Sequence, residues 1–315
     1  MSLKIELEKP HYFPGEVIKG KLNIVADKSI KARNVQVWIE GKEHAVVTRD
    51  ETVIHHDDEH GDTTSTEVHV YSQTRMIVEG GLDLWTPENQ KIDGPCEKQC
   101  PFEFSLPPDA LPTLEMPFEY DVPKSLASKG ITRSIPKNLG GTINYKIRAK
   151  IDKPFAFDPN DEIAVRVHPV SENVETGKLS SKIASTSGKT ELNVQIDKDV
   201  FMPGENITGN IELRTHPKEK VRGVSALLGF CYSCTAQRET DTYLQVIDQV
   251  SFLADPAVEY FTQPFSFATP PNVPCSIAGQ LVKIEWFVDV KVDLPLKADM
   301  HLRFPLRAIP TMMNQ

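Results

Sequence analysis

Long apolar runs are missing from this sequence. The longest largely apolar stretch, Val224 to Tyr232, is about half of what a helix needs to cross a bilayer, so no membrane-spanning helix is expected. The start, Met1-Ser2-Leu3-Lys4-Ile5-Glu6-Leu7-Glu8, alternates apolar with charged residues and lacks the uninterrupted apolar core of a secretory signal. Cysteine is sparse, and its odd number, five in 315 residues, does not describe a disulfide framework. Both features predict a soluble protein of the reducing cytosol. An excess of basic charge is missing too: 35 basic residues stand against 44 acidic ones, a net charge of -9, which argues against a nucleic-acid binder that neutralises phosphates. The 39% hydrophobic and 25% charged residues are those of an ordinary globular core. Proline, at 24, outnumbers glycine, at 17; because proline breaks helix interiors but is tolerated at strand ends and in turns, an all-β chain is favoured.

Period-two alternation dominates the chain. Ile143, Tyr145, Ile147, Ala149 and Ile151 fall on one face of a strand, and Asn144, Lys146, Arg148, Lys150 and Asp152 on the other. Leu3-Ile5-Leu7, Val35-Val37-Ile39, Leu192-Val194-Ile196, the alternate residues Val282 to Val292 and Met300-Leu302-Phe304-Leu306 read the same way. The best helix candidate, Pro123 to Lys129, is a turn or two at most.

Three motifs occur twice in the same order. Tyr12-Phe13-Pro14-Gly15-Glu16, running on to Gly20, returns as Phe201-Met202-Pro203-Gly204-Glu205, running on to Gly209. Pro101-Phe102-Glu103-Phe104 with its Pro107-Pro108 stop returns as Pro264-Phe265-Ser266-Phe267 with Pro270-Pro271, and Lys150-Ile151-Asp152-Lys153-Pro154 returns as Lys291-Val292-Asp293-Leu294-Pro295. A lone Pro-Gly-Glu is weak, since turns favour those residues, but ordered recurrence of all three points to tandem duplication. Pro14, Gly15, Pro203 and Gly204 are accordingly read as turn formers. Each half then holds about seven short strands, which suits an immunoglobulin-type β-sandwich. The expected organisation is a sandwich over residues 1–172, a linker over 173–188, rich in Ser, Thr, Gly and charge, and a second sandwich over 189–315.

With these motifs, Ile30-Lys31-Ala32-Arg33, Gly140-Gly141-Thr142-Ile143-Asn144-Tyr145 and the closing Phe304-Pro305-Leu306, the chain resembles the arrestin superfamily, and within it the α-arrestins. The resemblance spans both halves. It implies two tandem arrestin-like sandwiches and a non-catalytic adaptor. Such an adaptor docks on membrane cargo or on receptor tails, phosphorylated ones included. It recruits trafficking or ubiquitin-ligase machinery, and its partners bring it to the plasma membrane or endosomes. A retromer-type or sporulation-control subunit of a stable complex is the alternative within the fold. Neither Pro-Pro pair continues into the Pro-Pro-x-Tyr motif of many α-arrestins, Pro107-Pro108 running into Asp109-Ala110 and Pro270-Pro271 into Asn272-Val273. The chain stops at Gln315, soon after the last expected strand, and Leu111 to Leu139 is longer than the family usually has there.

Few residues carry chemistry of their own. Serine-elbow, phosphate-loop and dinucleotide motifs are absent, and no cofactor is expected. His55, His56, Asp57, Asp58, Glu59, His60 and Asp62 cluster in one stretch. They read either as a solvated hairpin loop over Asp57 to Thr66 that touches a partner, or as the ligands of a metal-binding module or metal-dependent enzyme. Cys231 and Cys234, three apart on an expected strand, point to opposite faces and read as core thiols rather than as half of a zinc site with Cys96 and Cys100. Lys146, Arg148 and Lys150 are the candidate contact for an acidic or phosphorylated partner, with Lys4 joining them if the fold brings it near. The alternative is a solvated face balanced by Asp152 and Glu6.

Overall fold

The computed structural model describes residues 1–55, 63–114, 139–155, 157–169, 176–252 and 259–310. Strands dominate. The chain forms two compact units, each described separately below. The first is built on β1 (Ser2–Leu7), β2 (His11–Tyr12), β3 (Val17–Ala26), β4 (Ile30–Lys31), β5 (Asn34–His55), β6 (Thr63–Trp85), β7 (Lys91–Ile92), β8 (Cys96–Ser105), β9 (Leu139–Asp152) and β10 (Asn160–Val167). Its sheets run β1-β3-β8 and β2-β10-β9-β5-β6, with β4-β7 as a small ribbon. The second is built on β11 (Leu179–Ala184), β12 (Thr190–Ile196), β13 (Val200–Phe201), β14 (Asn206–Thr215), β15 (Gly223–Ala236), β16 (Glu239–Phe252), β17 (Tyr260–Ala268), β18 (Ile277–Ala278), β19 (Val282–Asp293) and β20 (Met300–Ala308). Its sheets run β11-β12-β14-β17 and β13-β20-β19-β15-β16, with β18 added beside β19.

The alternation read from the sequence is the alternation of burial. Ile143, Tyr145, Ile147, Ala149 and Ile151 are sealed in the first core, and Val282, Ile284, Trp286, Val288, Val290 and Val292 in the second. Polar tips of the large aromatics are satisfied: Tyr145 Oη donates to Leu111 O at 2.7 Å and Trp286 Nε1 to Pro274 O at 3.0 Å. Such bonds remove the penalty of burying a polar atom.

The repeated motifs occupy equivalent places. Tyr12 pairs in parallel with Val167, and Phe201 pairs in parallel with Ala308. The next turn puts Gly15 at φ 82° and Gly204 at φ 92°, a left-handed conformation in which glycine has no side-chain penalty. Glu16 Oε2 accepts the Phe13 N–H at 2.8 Å, and Glu205 Oε2 accepts the Met202 N–H at 2.9 Å. Lys9 lies 2.8 Å from Glu16, and Lys198 lies 2.7 Å from Glu205. A Cβ on Gly20 would come within 2.6 Å of the Phe102 ring, and one on Gly209 within 2.5 Å of the Phe265 ring. The same crowding in both halves explains why glycine recurs five residues after each corner.

Two expectations about the strands need correction, and the expected linker gains a strand. Among the described residues each unit has ten strands rather than about seven, and they are not all short: β5 and β6 run for 22 and 23 residues, against 14 each for β15 and β16. The expected linker, 173–188, contains β11, antiparallel to β12 from Leu179 opposite Ile196 to Ala184 opposite Glu191. Its serine-rich composition suits an edge strand, where alternate residues face water. Thr63 to Thr66, expected in a hairpin loop, already belong to β6. The helix candidate Pro123 to Lys129 lies outside the described residues.

The corner carboxylates give these turns a pH dependence. Burial pushes Glu16 and Glu205 upward, but the bonds from lysine and from backbone N–H outweigh it and leave both below the usual carboxylate range. A lowered folded value means a contribution to stability that is complete above the unfolded value, about 4.3, and is lost as pH falls through the folded one. Glu16→Gln and Glu205→Gln are each expected to lower stability by about 1 kcal/mol at neutral pH, a modest figure because the lysines are partly solvated. Denaturant titrations should show the difference from wild type closing below about pH 4; an equal loss in acid and at neutrality would contradict the assignment.

Candidate partner-binding face

Strand β9 runs between β5 and β10, in the interior of its sheet, so its outward side chains are flanked on both sides. Lys146, Arg148 and Lys150 leave the sheet there, one every second residue. Their direct partners on β5 are Glu40, Trp38 and Gln36, and on β10 Ala164, Glu162 and Asn160. The structure therefore brings the three predicted cations together on one face, but beside two carboxylates. Glu162 takes both Lys146 Nζ, at 2.6 Å, and Arg148 Nε, at 2.5 Å. Arg148 also lies 3.5 Å from Glu40, whose other oxygen is 2.6 Å from Lys42. Hydrogen bonds from Lys146 and then Arg148 hold Glu162 below the usual carboxylate range, and the Glu162 bond raises Arg148. Among the described residues Lys150 has no ion pair.

Beside Lys150 is an open depression of about 430 Å³, lined also by Gln36, Trp38, Gly81, Leu82 and Asp83. Trp38 stands between Arg148 and Gly81 in register, so no side chain opposes the indole on its β6 side. Asp83 is held to the floor by the Gln36 amide at 2.8 Å. Neither Trp38 nor Gly81 was among the residues singled out from sequence. The available signal was a tryptophan on the polar phase of Val35-Val37-Ile39, an aromatic where water-facing residues belong.

Of the other expected contacts, Lys4 does not join this face. Lys4, opposite Asn23 on β3, belongs to the other layer of the sandwich and lies 3.4 Å from Glu6. His55 ends β5 opposite Thr63; His56, Asp57, Asp58, Glu59, His60 and Asp62 lie outside the described residues. Among the described residues no group of three or more His, Cys, Asp or Glu side chains is assembled around a metal-sized space. Cys234 is buried and Cys231, on the other face of β15, is half-buried. Burial pushes the thiols of Cys100, Cys231 and Cys275 upward, the last to about 11, which keeps them protonated and weakly nucleophilic.

The first sandwich matches the family model of the arrestin (or S-antigen) N-terminal domain over residues 1–173, and the second that of the arrestin C-terminal domain over residues 186–308. The chain belongs to the arrestin family. A curated relative, "Arrestin domain-containing protein B" of Dictyostelium discoideum, is 23% identical over 205 residues, covering 61% of this chain and 32% of that protein. The chain thus spans about a third of the length of the relative it matches. No helix among the described residues is long and apolar enough to cross a membrane.

Glu162 bridges its cations at the surface, where ion pairs contribute little to stability. Glu162→Gln is therefore expected to change stability by less than about 1 kcal/mol. By NMR titration the wild-type carboxyl should stay ionised to lower pH than an ordinary glutamate, and a Glu162 titrating at the usual value would dissolve the bridge.

Proposed function

We propose that this arrestin-family chain is a non-catalytic adaptor. It holds a segment of a protein partner, the tail of a membrane cargo or receptor, on the outer face of its first sandwich, and links it to trafficking or ubiquitin-ligation machinery. Family membership supports the adaptor role in general, and the partner sets where in the cell the chain is recruited. The observation that carries the choice of face is an open depression lined by Trp38 and Lys150, with Arg148 beside Trp38 in register, rather than a closed cleft. An extended peptide fits such a surface. Its phosphate or carboxylate groups meet the cations in charge-assisted bonds, while Trp38 supplies the desolvated aromatic contact that dominates many interfaces. Glu162 occupies Lys146 and Arg148 in the absence of a partner, so an incoming phosphate meets Lys150 first and competes with Glu162 for the other two.

Binding of a multiply phosphorylated peptide and its unmodified twin, compared by calorimetry, tests this reading. Lys150→Glu is expected to weaken the phosphopeptide by about tenfold, and Trp38→Ala by a similar factor. Glu162→Gln, by releasing two cations, should tighten it a few-fold. Equal affinity for the two peptides, or indifference to Lys150→Glu, would take the face out of the mechanism.

A further inference from the structure

The connection between β9 and β10 reads Lys153-Pro154-Phe155-Ala156-Phe157-Asp158-Pro159. Phe155 is 108% exposed and Phe157 99% exposed, so both rings stand wholly in water. The residues around them are pinned: Ile151 N–H donates to Pro159 O at 3.0 Å, Lys153 N–H to Asp158 Oδ1 at 2.8 Å, and Arg33 pairs with Asp152 at 3.1 Å. Phe155 sits at φ 59°, a left-handed conformation that favours glycine or asparagine and is an outlier for a bulky side chain. The second unit repeats the device between β19 and β20. Leu296 is at φ 60° and 104% exposed, Leu294 N–H donates to Asp299 Oδ1 at 3.3 Å, and Arg222 pairs with Asp293 at 2.7 Å. Folding asks for neither feature, since glycine would close the turn with less strain and a polar side chain would suit the exposure. A large apolar residue kept there in both halves points to something outside the chain.

The surroundings of the first tip indicate what that is. Rings exposed this fully need a medium that closes around them. Asp152 is neutralised by Arg33, and Asp158 is engaged by the Lys153 N–H. Lys153, whose backbone N–H closes the base of the turn, has no ion pair at its ammonium among the described residues. Aromatic rings above a cation match a bilayer interface, where rings enter the acyl boundary and lysine stays among the phosphates. We propose that Phe155 and Phe157 insert into a lipid surface and that Lys153 sits at its phosphate level, so that the first sandwich contacts membrane directly. This does not depend on the Lys150 face.

Flotation of the full chain with vesicles of phosphatidylcholine, with and without phosphatidylserine, tests it. The wild type is expected to float with both. Phe155→Asn with Phe157→Ser, the asparagine chosen to suit the left-handed turn, should lower the partition coefficient on the order of tenfold per ring and leave the melting temperature unchanged. In Phe157→Trp the added emission should shift to the blue on vesicles and be quenched by brominated acyl chains. A wild type that floats with neither vesicle, a double variant that floats as well as the wild type, or an emission that stays unshifted, as it would if the rings instead fill a protein pocket, would overturn the proposal.

Discussion

Register is the constraint on which the first sandwich and its candidate face depend. The inner row of β9, Ile143 to Ile151, is sealed in the core, and a slip by one residue would turn all five side chains outward and bring Lys146, Arg148 and Lys150 inside. Burying unpaired cations is far more costly than losing a ladder hydrogen bond. The same restriction that packs the core therefore fixes, residue by residue, where the basic side chains emerge and which groups of β5 and β10 stand beside them.

The two units solve one folding problem in one way and then diverge where the core is indifferent. Both close an edge with a parallel pair, a left-handed glycine and a glutamate bound by backbone and lysine. These parts leave little freedom, because a Cβ at Gly15 or Gly204 would strain the turn. Strand length beyond the paired sheet is not so restricted. The β5–β9 register ends at Val47 opposite Leu139, while β5 and β6 remain paired as far as His55 opposite Thr63. That extension has no counterpart of equal length in β15 and β16.

Electrostatics on the outer face depends on neighbours that are remote in sequence. Glu40 and Glu162 meet the β9 cations from opposite sides, and they convert a row of three positive charges into a bridged pair beside a lysine that has no ion pair among the described residues. In the second unit a comparable arrangement is partly covered. Phe287 and Asp289, on the outward phase of β19, are buried, with the Arg303 guanidinium 4.1 Å from the Phe287 ring and 3.0 Å from Asp289. An arginine laid along a sheet protects an aromatic and a carboxylate that alternation alone assigns to water.

What the sequence determined by itself was the all-β class, the doubling and the core, because period-two alternation and ordered repeats are local signals that pleat geometry turns directly into inside and outside. The Pro-Gly corners and the opposite faces of Cys231 and Cys234 were legible for the same reason. The tertiary structure alone decided that Glu162 and Glu40 occupy two of the three cations, that Trp38 rather than Lys4 completes the face, that 179–184 is an edge strand, and that Phe155 and Phe157 stand in water. Each of these depends on which strands lie side by side and in what register, and pairing between segments far apart in the chain leaves no trace in the local alternation of either one.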